Sequence, residues 1–138
     1  MGQVAEVRQT GAHVLSPCPQ KPNCVSSVNT KKSRYVAPLQ YSGGAKTARA
    51  RLLKILGSLK GAQVMTSDEN YIHAEFVSPV FKFVDDVEFV VEENTQTIQL
   101  KSASRVGSYD FGANRRRITK IRDLFEEGVK VDSFESTP

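Results

Sequence analysis

Cys18 and Cys24 stand six positions apart on a bend that holds Pro19 and Pro22, so they could form a small ring, ligate a metal or remain thiols. A ring of that size stabilises by about 2–3 kcal/mol in the chain-entropy account. A zinc site needs four ligands, and only His13 and His73 could join the pair, at irregular spacing. No metal and no cofactor is therefore expected. Met1–Leu15 carries Glu6, Arg8 and His13 and no apolar run, so the segment reads as lacking an export signal. The expectation is a cytoplasmic chain with reduced cysteines, a Cys18–Cys24 disulfide being the alternative.

His73-Ala-Glu75 reproduces the H-x-E of zinc deaminases, in which the His holds metal and the Glu moves protons. The P-C-x-x-C that completes that chemistry is missing downstream, and the segment reads as a strand. On a strand His73 and Glu75 share a face, which allows a general acid/base pair and equally an exposed cross-strand ion pair. Ser42-Gly-Gly-Ala-Lys-Thr47 resembles the end of a phosphate-binding loop, but Gln40 and Ala45 stand where its glycines belong, so it reads as a helix start.

Ser102 to Arg117 is the densest constellation, running from a strand end through a glycine-containing loop into a helix start. Free helix amides, the helix dipole and consecutive guanidiniums suit an anion, with Arg105, Asn114, Arg115 and Arg116 as candidates. Consecutive helical residues fan out by about 100° each, so one or two of the arginines at most reach a single ligand. The opposing reading is internal pairing with Asp85, Asp86 and Glu88, which together with His73 and Glu75 form the polar cluster of the chain.

The elements that would position these residues follow from periodicity. Residues 1–44 hold four of the six prolines and read as an extended arm whose apolar contacts are Tyr35, Val36, Leu39 and Tyr41. Ala45, Ala48, Leu52, Ile55, Leu56 and Leu59 recur at helical spacing, predicting a helix over 45–59. Period two then takes over, predicting strands over 63–67, 71–78, 81–91 and 97–105. Ile118, Ile121, Leu124 and Phe125 mark a second helix over 113–127, stopped by Gly128, with a tail over 129–138. The predicted fold is α+β, an antiparallel four-stranded meander with both helices on one face. With Phe81, Phe83, Val87 and Phe89 facing the helices, Asp85 faces them too, and a buried carboxylate needs a partner. A bulge at Asp85-Asp86 that turns both outward is the alternative. The opposite face carries His73, Glu75, Lys82, Asp86, Glu88, Lys101 and Arg105.

A chain of this length builds one domain, and hydrophobic residues at 39% with charged residues at 25% exclude a disordered polymer. No uncharged stretch approaches bilayer length. Charge comes in blocks: residues 1–60 hold ten Lys or Arg against Glu6, and residues 61–100 hold eight acids against Lys82. Blocks of opposite sign neutralise one another on folding, so the net +4 does not call for nucleic acid.

Four motifs in order, Ser16-Pro-Cys-Pro with Pro22-Asn-Cys-Val-Ser-Ser27, Tyr71-Ile-His-Ala-Glu-Phe76, Phe83-Val-Asp-Asp-Val-Glu-Phe89 and Ser102-Ala-Ser-Arg-Val-Gly107 with Asn114-Arg-Arg-Arg-Ile118, resemble the bacterial and plastid family known as domain of unknown function fourteen ninety-nine. The resemblance runs from about Leu15 to Phe125. It implies a single-domain protein and brings no activity, cofactor or catalytic residue with it. The expected function is a non-enzymatic binding or scaffold domain with an Arg-lined anion site, taking a small anion or a protein partner. The alternatives are an enzyme acting on a small anionic substrate, or a binder of nucleic acid or of an acidic membrane surface.

Overall fold

The computed structural model describes residues 13–29, 31–107 and 110–135, with side chains as far as Gly128. Residues 1–12 of the expected arm, Ser108 and Tyr109 of the loop, and the last three residues of the tail lie outside the described residues. The elements are β1 (Cys24–Ser26), a 3-10 turn (Lys32–Arg34), β2 (Leu39–Gln40), α1 (Ala45–Ser58), β3 (Ala62–Ser67), β4 (Tyr71–Val77), β5 (Val84–Glu92), β6 (Thr97–Ser104) and α2 (Ala113–Glu135). Strands β3 to β6 form an antiparallel meander in chain order. Strands β1 and β2 then pair antiparallel with the outer edge of β6, β1 at Lys101–Ala103 and β2 at Thr97–Ile98.

The sheet therefore has six strands, where periodicity predicted four. Two- and three-residue strands are too short for alternation to show, and the surrounding prolines read as arm. The pairing has a physical reason: an uncovered edge of β6 would leave a row of backbone donors and acceptors without partners. The arm's apolar residues follow it inward, since Val25, Val36, Leu39 and Tyr41 are all buried in the main core.

That core lies between one face of the sheet and the two helices. Ile72, Ala74 and Phe76 of β4 alternate inward, joined by Val87, Phe89 and Val91 of β5 and by Ile98 and Leu100 of β6. Ala48, Leu52, Ile55 and Leu56 of α1 and Ile118, Ile121 and Phe125 of α2 cover them. Burying side chains of this size stabilises by about 1.5–3 kcal/mol each.

Two boundaries move by more than one residue, and one irregularity lies elsewhere than expected. Strand β5 starts at Val84 rather than Phe81, because the Ser78-Pro79 turn continues to Phe83. Ser78 donates its N–H to the Phe83 carbonyl and accepts the Phe83 N–H on Oγ, both at 2.9 Å. Lys82 between them has φ 59°, incompatible with a strand. Helix α2 runs through Gly128 instead of stopping there. A Cβ at that position would lie 2.9 Å from Arg51 Cδ, so the glycine lets α1 and α2 approach. Finally, β4 and β5 pair without interruption through Asp85 and Asp86; the irregularity in the sheet lies in β3, between Val64 and Thr66.

Candidate functional site

The Arg-rich corner is assembled from the N-terminal segment, β5, β6 and the start of α2. Asp110, three residues before α2, accepts the N–H groups of Gly112 at 2.9 Å and Asn114 at 3.1 Å, donors that an uncapped helix would leave unsatisfied. Burial pushes the Asp110 carboxyl up, and the hydrogen bonds from the Asn114 backbone and side chain and from Gly112 outweigh it, so the group ends below the usual carboxylate value. Asn114 is fully buried. Its Nδ2 donates to the Asn23 carbonyl, Ser104 Oγ and Asp110 Oδ2, and its Oδ1 accepts from Ser102 Oγ and Arg117.

Arg117 completes this network. Its guanidinium lies 2.8 Å from Asp85 Oδ2, 3.1 Å from Ser102 Oγ and 4.8 Å above the Phe76 ring centroid. Asp85 thus points to the helix side, with its counter-charge supplied by the third arginine of the run. The candidates Arg115 and Arg116 point elsewhere. Arg115 donates to the carbonyls of Tyr35 and Ser33 at 3.0 and 2.9 Å, and Arg116 to the carbonyl of Phe111 at 2.6 Å. Helical phase separates the three, and Arg122 joins Arg115 in bracing the N-terminal segment, through the carbonyls of Ala37 and Pro38. The four anion candidates do not converge: Arg105 lies on the other face of the sheet.

On that open face, register brings β4, β5 and β6 side chains together. His73 and Glu75 share a face of β4, and Asp86 stands opposite Glu75 on β5. His73 Nε2 lies 2.7 Å from Asp86 Oδ1. Arg105, just past β6, reaches both Asp86 oxygens at 2.7 and 2.9 Å and Glu75 Oε2 at 2.6 Å. The hydrogen bonds from Arg105 hold the Asp86 carboxyl below its usual value; burial opposes them and His73 adds to them. The ring nitrogen of His73 and one oxygen each from Glu75 and Asp86 lie within 4.8 Å of one another. Glu88 accepts the Tyr71 hydroxyl at 2.6 Å, and burial together with this carboxylate pushes the phenol up. A shallow depression of about 390 Å³ lies beside the cluster, lined by Tyr71, His73, Asp86, Glu88, Lys101 and Ala103.

A third feature corrects an expectation: Phe81 and Phe83 do not face the helices from a strand but stand in the turn before β5, exposed to solvent. At the end of the sheet where β5 begins and β6 finishes, Val80, Phe81, Phe83 and Val106 are 54% to 77% exposed, and Phe111 in the loop before α2 is exposed as well. Phe81 and Phe83 stack on one another with centroids 5.6 Å apart. Lys82 between them and Arg116 near Phe111 are also exposed. Near the same end of β6, on its outer edge, Cys24 stands opposite Ala103 and is joined to Cys18, with Cα atoms 5.7 Å apart.

A family model described as Protein of unknown function (DUF1499) matches residues 14–125. The chain belongs to this family. The DUF1499 match contains the buried corner, the open-face cluster and the apolar end of the sheet together. No curated protein matches the chain. DUF1499 carries no described activity, so the function has to be argued from the three features above. Among the described residues no helix is long and apolar enough to cross a membrane.

Proposed function

We propose that this chain is a non-enzymatic docking domain that rests its apolar sheet end on an anionic membrane surface. The observation that carries the reading is the exposed group Val80, Phe81, Phe83 and Val106, which the β5–β6 register brings to one end of the sheet. Scattered exposed apolar side chains are ordinary; a group that includes a stacked Phe pair marks an interaction surface. The loop is not loosely exposed, since Ser78 clasps Phe83 through both its backbone N–H and its hydroxyl. Moving one Phe ring from water into the acyl boundary is worth about 1.5–3 kcal/mol. Each adjacent cation adds about 1 kcal/mol near an anionic surface, and exposed Lys82, between the two rings, is placed to supply it.

The Arg-lined anion site does not serve this reading. Arg105 meets two carboxylates, and Arg115 and Arg116 meet backbone carbonyls. These contacts support a bracing role for the arginines. The joined Cys18 and Cys24 favour an oxidising compartment over the cytoplasm for the docked protein.

Cosedimentation with vesicles tests the proposal. The native chain should pellet with phosphatidylglycerol-containing vesicles, less with pure phosphatidylcholine, and Phe81→Ser/Phe83→Ser should stay in the supernatant with an unchanged circular dichroism spectrum. A native chain that ignores anionic vesicles, or a double variant that still binds, would overturn it.

A further inference from the structure

His73, Glu75 and Asp86 lie on the open face of β4 and β5, with Arg105 just before Val106 of the apolar end, and the inference does not rest on membrane docking. We propose that His73, Glu75 and Asp86 form a site for a divalent transition-metal ion of the zinc class, with the Arg105 guanidinium as the resident cation that the metal displaces.

Three observations support it. One imidazole and two carboxylates are donors that suit first-row divalent ions, and here they come from adjacent strands rather than mobile loops. Their ligand atoms already lie within 4.8 Å of one another. In a tetrahedral site with bonds near 2.0–2.2 Å, neighbouring donors stand about 3.5 Å apart, so small side-chain rotations close the set. Second, the cluster already binds a positive charge at its centre. Arg105 contacts all of the acidic donors at 2.6–2.9 Å, yet one guanidinium faces two carboxylates. A dication balances both.

Third, the parts differ in exposure in the direction exchange requires. The Arg105 side chain is 46% exposed, against 22–30% for Glu75, His73 and Asp86. It lies after the end of β6, so it can swing into solvent while the ligands stay on their strands. Three protein ligands leave a coordination position open, and the depression beside His73 and Asp86 gives a small molecule or water access to it. The sequence shows the His73-Ala-Glu75 pair and groups Asp86 with it as a polar cluster, but Asp86 stands 11 and 13 positions further on, so only the β4–β5 register brings the three donors together.

Cobalt(II) and zinc(II) titrations of the full, disulfide-intact chain test the proposal, by visible absorption and by calorimetry. One equivalent is expected to bind. His73→Gln and Asp86→Asn should each weaken binding by about tenfold or more, while His13→Ala, a control for the separate His13–Asp68 pair, should change nothing. Arg105→Gln, which removes the competing cation, should bind at least several-fold tighter than the native chain. It also keeps the test decisive if a ligand variant fails to fold. Absence of binding in both the native chain and Arg105→Gln would overturn the proposal, as would binding that survives His73→Gln or an Arg105→Gln variant that binds no tighter. Vesicle binding by the apolar end is a separate readout, and neither result bears on the other.

Discussion

Asn114 uses both ends of its amide inside a site closed to water, serving Asn23, Ser104 and Asp110 as donor and Ser102 and Arg117 as acceptor. Truncation leaves several of those groups buried without partners, each at about 1–3 kcal/mol. Asn114→Ala should therefore lower unfolding free energy by about 3 kcal/mol or more, seen as a shift of the urea midpoint with little change of slope. The acids of the molecule make a pH prediction. Asp86 and Asp110 both sit below their unfolded value of 3.8. Each contributes stability that is complete above that value and is lost as pH falls through the lowered folded one. Asp86→Asn should reduce the melting temperature at neutral pH, and the two curves should converge at the acid end. A native curve that stays flat below pH 3.8 would contradict this. At this scale the inward turn of Asp85 was legible, since period two places it beside Val87 and Phe89. Its partner was not: Arg115, Arg116 and Arg117 are alike in sequence, and only the phase of α2 against β5 selects the third.

Elements with a long apolar period were legible nearly to the residue, as α1, β3, β4 and β6 show. The failures share a cause, tertiary contact overriding a local signal. β1 and β2 exist because β6 needs an edge partner, and α2 continues because Gly128 meets Arg51 rather than solvent. Glycine substitutions separate these effects. Gly61 has φ +83° and a Cβ there would lie 2.8 Å from the Val77 carbonyl oxygen, so the α1–β3 turn has no room to yield. Gly61→Ala should cost about 1–3 kcal/mol. Gly57→Ala, within α1 and with nothing near its added Cβ, should instead stabilise by about 0.5–1 kcal/mol. Thermal melts of the two variants side by side would check both signs.

For the whole molecule, the blocks of charge visible in the sequence become cross-connections: acids of β4 and β5 meet bases from beyond β6 and from α2. This is why net charge predicted little about partners. The clip at the start of β1 also acts globally. Reducing Cys18–Cys24 should lower stability by about 2 kcal/mol and speed amide exchange where Ser27 bonds the Leu100 carbonyl, a contact that hydrogen-exchange mass spectrometry can follow. That contact spans 73 positions, and synthesis runs from the N-terminus. The edge strands leave the ribosome first and wait for β6, their partner, to be made. The ring between Cys18 and Cys24 needs no sheet in order to close, so β1 can be delivered already shaped. A nascent chain in which it fails to close would expose the outer edge of β6 to the same edge on a neighbouring copy. Misfolding of this protein should then begin as strand exchange between molecules, and its frequency should follow the oxidant supply during folding rather than the stability of the finished fold.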